Sequence, residues 1–121
     1  MHDAKRMREL FEESLPLFNA LGDPIRQQLI MLMMEGERKS VAELAATMEL
    51  PRPTVSHHLK VLKDAHILST QKVGTKIYYC PQLGEYFRPV KELVDMVAVI
   101  ESKKERIAHT SAVRDETRVQ E

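Results

Sequence analysis

The sequence predicts a mainly α-helical fold with one small β-hairpin, ordered α-α-α-α-β-β-α. Three observations carry this. Apolar residues recur at spacings of three and four along most of the chain; the period changes to alternation after Ile67-Leu68; and Gly, Pro and capping residues mark the boundaries. The chain has 121 residues, 43% of them hydrophobic and 30% charged, which suits one compact domain with a solvated surface. Without Trp and with only three Phe, its core must be aliphatic, drawn from Leu, Val, Ile, Ala and seven Met.

Each element has its own signal. Met7, Leu10, Phe11, Leu15, Phe18 and Leu21 form an apolar stripe over residues 5–21, with Pro16 predicted to bend or split that helix. Gly22, Asp23 and Pro24 then read as a helix end, a cap and a proline at the first helical position. The second helix carries Ile25, Leu29, Ile30, Leu32 and Met33 and runs out at Gly36. Met31-Leu32-Met33-Met34 reads as core or interface packing rather than a soft-metal site. Ser40-Val41-Ala42-Glu43 is a capping box that opens a short third helix, with Val41, Leu44, Ala45 and Met48 facing inward.

Pro51-Arg52-Pro53 marks the fourth helix, predicted over 51–65, with Val55, Leu59 and Leu62 as its core stripe. Residues 69–73 and 76–80 alternate around Gly74-Thr75, the pattern of a hairpin. Pro89 opens a last helix with Val90, Leu93, Val94, Val97 and Ile100 on one stripe, expected to end between Lys104 and Ile107. The domain is therefore placed at 1–108, and 109–121, poor in apolar residues, is read as a flexible tail.

Net charge is zero, but it is unevenly spread. Residues 52–76 carry Arg52, Lys60, Lys63, Lys72 and Lys76 against Asp64 alone, a local excess of +4. Phosphate binding depends on the local field, because exposed charges beyond about 8–10 Å are largely screened. No run approaches the roughly 18–20 apolar residues of a membrane span, and MHDAKRMREL is not a secretory signal. A cytoplasmic location is expected. The single cysteine, Cys80, excludes an internal disulfide and a multi-cysteine metal knuckle. No nucleophile, base and orienting acid fall at a plausible spacing, and there is no Gly-rich phosphate loop, so no catalytic residues are assigned.

Two short helices about three residues apart, the second followed by a hairpin, describe a winged helix-turn-helix. The small Ala45-Ala46 pair permits close approach of the two helices. Beyond its core stripe, the second helix of the unit offers Arg52, Pro53, Thr54, Ser56, His57, Lys60 and Lys63. Arg can bridge O6 and N7 of guanine, while hydroxyls and imidazole suit base edges or phosphates. Lys72, Thr75 and Lys76 surround the wing turn, and Ser40 at the preceding cap completes the candidate DNA-binding set. The apolar stripe from Val90 to Ile100 is too wide for a free surface helix. Leu10, Phe11, Phe18, Val90, Leu93, Val94, Val97 and Ile100 are accordingly the candidate dimer seam.

The runs LGDPIRQQLI (21–30), VAELAATMELPRPTVSHHLKVLKDAHIL (41–68) and KVGTKIYYC (72–80) resemble the ArsR/SmtB family of bacterial repressors. The likeness spans roughly residues 5–107 and is densest over Thr54-Val55-Ser56-His57-His58-Leu59-Lys60. It implies a homodimer joined through its first and last helices. It also implies a repressor of a palindromic operator, entering the major groove with the helix 51–65 and flanking it with the wing 69–80. By position, the reading element is Arg52, Pro53, Thr54, Ser56, His57 and Lys60. Glu49 departs from the pattern, since that turn often holds Gly or another small residue.

The family's metal sites lack their ligands here. The stretch AELAATMEL has no thiol, and Asp95 is followed by Met96-Val97 where an Asp-x-His pair is needed. No metal and no cofactor are therefore expected, and the effector is left open. The remaining candidates have structural readings: Cys80 as a half-buried strand residue, His58 packed beside the core, and His66 capping the recognition helix. His2, His109, Asp115 and Glu116 are the one conceivable tail site. The alternative function is a winged-helix protein–protein interaction module without DNA binding, against which the basic, hydroxylated face of the fourth helix speaks.

Overall fold

The computed structural model describes the backbone of residues 2–120 and the side chains of residues 3–110. The order is α1 (His2–Leu21), α2 (Pro24–Met34), α3 (Val41–Met48), α4 (Arg52–Asp64), β1 (Leu68–Val73), β2 (Lys76–Pro81), a 3-10 turn (Glu85–Phe87) and α5 (Arg88–Gln120). This is the five-helix, one-hairpin order that the periodicity predicts. The chain divides into two compact units, Glu13–Arg88 and the pairing of Met1–Glu12 with Pro89–Glu121.

In the larger unit α4 is the central element, touching α2, α3 and β1. Val55, Leu59 and Leu62 are wholly buried, as are Leu29, Leu44 and Ile67. Each such side chain contributes about 1.5–3 kcal/mol of transfer free energy, so this stripe dictates which side of α4 faces water. The hairpin is antiparallel, with Val73 opposite Lys76 and Leu68 opposite Pro81. Gly74, at φ 63°, takes the first corner of the two-residue turn, where a side chain would be strained. Met33 joins the core, whereas Met31 and Met34, read from sequence as packing residues, are both 58% exposed. Their i, i+3 spacing turns them away from the Leu29–Ile30–Met33 side.

Local caps join successive helices. The Asp23 carboxylate accepts from the amides of Ile25 (2.8 Å) and Arg26 (3.2 Å), closing the N-terminus of α2. Arg26 reaches back to the last carbonyls of α1, donating from Nε to Ala20 O (2.6 Å) and from Nη2 to Asn19 O (3.1 Å). A cation at a helix C-terminus also meets the negative end of the dipole. Lys39 does the same for α2, through the carbonyls of Leu32 and Glu35.

Two expectations need correction. Pro16, expected to bend or split α1, does not split it: the helix runs unbroken from His2 to Leu21. Both Pro16 and Glu12, whose carbonyl loses its helical partner, are exposed, so water can satisfy the orphaned oxygen. The helix α5 passes the expected end near Lys104–Ile107, continuing to Gln120. Residues 102–120 contain neither Gly nor Pro, so low apolar content alone does not stop a helix. The side chains of the tail beyond 110 and of His2, and with them the conceivable His2–His109–Asp115–Glu116 site, lie outside the described residues.

In the smaller unit Arg6 donates to both carboxylate oxygens of Glu92, from Nε (3.0 Å) and Nη2 (2.8 Å), tying the start of α1 to the start of α5. That pairing holds the Glu92 carboxyl below its ordinary range. Leu10 and Leu93 are buried, at 0% and 6% exposure.

Burial pushes the Asp23 carboxyl up, but the amides of Arg26 and Ile25 and the Arg26 guanidinium outweigh it and hold it below its usual range. A depressed folded-state value means that the stability from this carboxylate is complete above about pH 4 and is lost as pH falls through the lowered value. Wild type is therefore expected to lose its advantage in Tm over Asp23→Asn as pH is lowered from about 5 to about 3. A Tm difference that stays constant over that range contradicts the assignment.

Candidate nucleic-acid interface

The helix-turn-helix is built from α3 and α4. Ser40 caps α3, its Oγ accepting from the Glu43 amide (3.3 Å) and donating to Glu43 Oε1 (3.2 Å). Ala45 is buried against the unit while Ala46 is exposed, so one of the two small residues serves the close approach. The turn follows from Glu49, at φ 56° and ψ 43°. Leu50 N then donates to Ala45 O (3.1 Å) and Glu49 N to Ala46 O (3.3 Å), a Schellman closure normally built on Gly. Glutamate thus keeps the family-like turn at the cost of a left-handed backbone.

Pro51 and Pro53 start α4 without a side-chain cap. Proline suits the first helical turn because its missing N–H has no helical partner there. At the other end His66, at φ 62°, makes the same closure: His66 N donates to Lys63 O and Ile67 N to Leu62 O. The capping role expected for His66 thus falls to its backbone. Its ring stacks on Tyr86, with centroids 4.6 Å apart.

With the stripe of Val55, Leu59 and Leu62 turned inward, Arg52, Pro53, Ser56, His57, Lys60 and Lys63 are exposed and Thr54 is half-buried. The wing presents Lys72, Thr75 and Lys76, all exposed. Among the described residues, the side chains of Arg52, Ser56, Lys60, Lys63, Lys72 and Lys76 make no internal hydrogen bond or ion pair. The cations are therefore unneutralised within the chain, and their field is open to a polyanion. The surface can donate hydrogen bonds to phosphates along a helix and at a hairpin tip, with an arginine, hydroxyls and an imidazole placed for base edges.

One candidate does not belong to this face. Ser40 is 8% exposed and its hydroxyl is used by Glu43, and its backbone bridges to Tyr78. It serves α3 and the middle of the hairpin. Cys80 is half-buried and unpaired, as its strand position predicts. Among the described residues no group of three or more His, Cys, Asp or Glu side chains is arranged to hold a metal ion. Among the described residues no helix is long and apolar enough to cross a membrane.

Sequence reading missed two arginines. Arg38, between α2 and α3, donates to Gln71 and lies over the Tyr78 ring at 5.6 Å, anchoring the wing. Arg26 touches the recognition helix itself, with Nη1 3.3 Å from His58 Nδ1. Neither has a local signal, because the partners lie more than 30 positions away in the chain.

Comparisons with known proteins agree with this architecture. Residues 23–70 match the family model described as bacterial regulatory protein, arsR family. An HTH-type transcriptional regulator of Methanocaldococcus jannaschii is 37% identical over 71 residues, covering 59% of this chain and 80% of that protein. The transcriptional repressor SdpR of Bacillus subtilis is 33% identical over 63 residues, covering 52% and 69%. Among solved structures, an ArsR-like transcriptional regulator from Rhodococcus sp. RHA1 superposes with a TM-score of 0.72 at 22% identity, covering 84% of this chain and 92% of that one. The homodimeric winged helix-turn-helix DNA-binding domain of a possible ArsR-family regulator from Mycobacterium bovis has a TM-score of 0.57 at 19% identity, covering 81% and 83%. These two structures share the fold. The relatives carry the family, one of transcriptional regulators rather than enzymes: the chain belongs to the ArsR family of bacterial regulatory proteins, with its helix-turn-helix in α3 and α4.

Proposed function

We infer that this DNA-binding regulator acts as a homodimeric repressor in the cytoplasm, binding a palindromic operator through α4 and the wing. The observation that carries the reading is the set of exposed, internally unpaired cations on α4 and β1–β2, next to a buried stripe that holds the helix in one orientation. Arg52, Thr54, Ser56 and His57, with Pro53 shaping the helix start, are the base-reading group, worth about 1–3 kcal/mol for each good contact. Lys60, Lys63, Lys72 and Lys76 supply phosphate contacts, and Thr75 sits at the wing tip. Repression follows by occlusion, as two recognition helices one DNA turn apart cover the promoter. The relative named as a repressor supports that direction.

Dimerisation is supported by apolar surface that a monomer leaves in water. On α1, Phe11, Leu15 and Phe18 are 49%, 54% and 39% exposed, and on α5 Val94 and Val97 are 59% and 44% exposed. Val90 and Ile100 are half-buried on the same helix. Leu10 and Leu93, counted in the seam from sequence, are buried inside the chain. The Mycobacterium bovis neighbour is itself a homodimer.

Three results are expected. In a titration against duplex DNA from the protein's own promoter region, Arg52→Ala combined with His57→Ala weakens binding by about 2–6 kcal/mol. Lys60→Ala or Lys72→Ala weakens it without altering sequence preference and flattens the salt dependence by about one phosphate equivalent. Binding that the double variant retains while folded places the reading element elsewhere. In sedimentation, Val97→Glu is expected to convert a dimer to a monomer, because it sets a charge against its symmetry mate in an apolar seam. An unchanged sedimentation coefficient removes α5 from the interface.

A further inference from the structure

We propose that Arg26 is a positioning residue for DNA binding: its hydrogen bond to His58 braces the recognition helix only while His58 is neutral, so DNA binding weakens on acidification. The proposal rests on the reading of α4 as the DNA-contacting helix. It starts from a donor–acceptor argument. A guanidinium can only donate, so the 3.3 Å contact from Arg26 Nη1 requires a lone pair on His58 Nδ1. That places the proton of a neutral ring on Nε2. A second proton turns Nδ1 into a donor, which ends the hydrogen bond and sets two cations side by side.

The arginine cannot step aside. Its Nε and Nη2 are held by Ala20 O and Asn19 O at the end of α1, and its Nη1 lies 3.8 Å from Asp23 Oδ2. The side chain is 15% exposed, so water screens little of the repulsion. The part free to yield is therefore the imidazole, which disturbs the outer surface of α4 around it while the buried stripe stays in place. His58 lies two residues from Ser56 and next to His57 in the reading group, so a shift at His58 moves the groups that face DNA.

Other charged groups face the same ring. Asp23 attracts a charged ring, but its Oδ1 is occupied by the amides of Ile25 and Arg26, and its Oδ2 faces the guanidinium. From α1 the carbonyls of Ala20 and Asn19 accept from Arg26, and Pro16 lines the same cleft. On α4, Asp64 lines the same cleft as Arg26, and the His57 ring is 5.7 Å from that of His58. His57 is exposed, and its own protonation adds a cation to the DNA face, which acts in the opposite direction. A comparison of wild type with His58→Asn cancels that contribution. The amide oxygen of asparagine can take the place of Nδ1 as an acceptor and does not titrate.

The test uses the full chain and the duplex it most enriches from a random-sequence pool. Affinity is measured at about pH 7.5 and about pH 5.5, which bracket imidazole titration, with circular dichroism confirming the fold at each. Between these values, wild type is expected to lose about tenfold in affinity relative to His58→Asn. At the higher pH, His58→Asn is expected to bind more tightly than His58→Ala. Nitrogen NMR of the wild-type ring should show the Nε2–H tautomer, a readout that needs no variant to fold. Equal pH ratios for wild type and His58→Asn, or an Nδ1–H tautomer, overturn the proposal and leave the DNA-binding reading standing. Failure of wild type to enrich any duplex overturns both.

Discussion

Burial of Val55, Leu59 and Leu62 is the constraint on which the rest of the structure depends. These three residues turn one side of α4 into the unit and leave the remaining circumference to polar and basic side chains. Because α2, α3 and β1 all pack on this helix, its orientation is over-determined. The exposed arginine, hydroxyls, imidazole and lysines are therefore presented by a rigid element rather than by a mobile loop. A recognition surface needs that rigidity, since bidentate base contacts tolerate little misplacement.

Around this helix the chain uses polar contacts as braces. The two Schellman closures, at Glu49 and His66, set the angles at which α4 is entered and left, in both cases with a residue other than glycine in the left-handed region. Arg26 links the end of α1, the cap of α2 and the side of α4 through one guanidinium. Arg38 holds the wing by Gln71 and Tyr78. Net charge near zero is compatible with DNA binding because the acids that balance these cations lie mostly outside residues 52–76.

Much of this was legible in the sequence, for local reasons. The stripe of α4, the capping box at Ser40, the proline starts and the Gly74-Thr75 turn are each set by neighbours within a few positions. Local pattern failed where solvent or distant residues decide. An exposed proline was carried by α1 because water can satisfy the freed carbonyl. Met31-Leu32-Met33-Met34 read as core or interface packing, and the helical period puts Met33 in the core and turns Met31 and Met34 outward. Leu10 and Leu93 shared a stripe with interface candidates, but only the assembled helices show that they face inward. Ser40 read as a possible DNA contact because sequence cannot show a hydroxyl already engaged. Arg26 gave no signal, since its partner His58 is brought to it only by the packing of α2 on α4.

The central claim is that α4 and the wing form a sequence-reading surface repeated by two-fold symmetry. It is tested most directly by selecting duplexes from a random-sequence pool with the purified full-length chain. The expected result is enrichment of an inverted repeat whose half-site centres lie about one helical turn, roughly 10 bp, apart. Enrichment of a single unrepeated site would contradict the symmetric arrangement. A pool that stays random through successive rounds would contradict sequence reading itself and leave a winged-helix protein-interaction module as the better description.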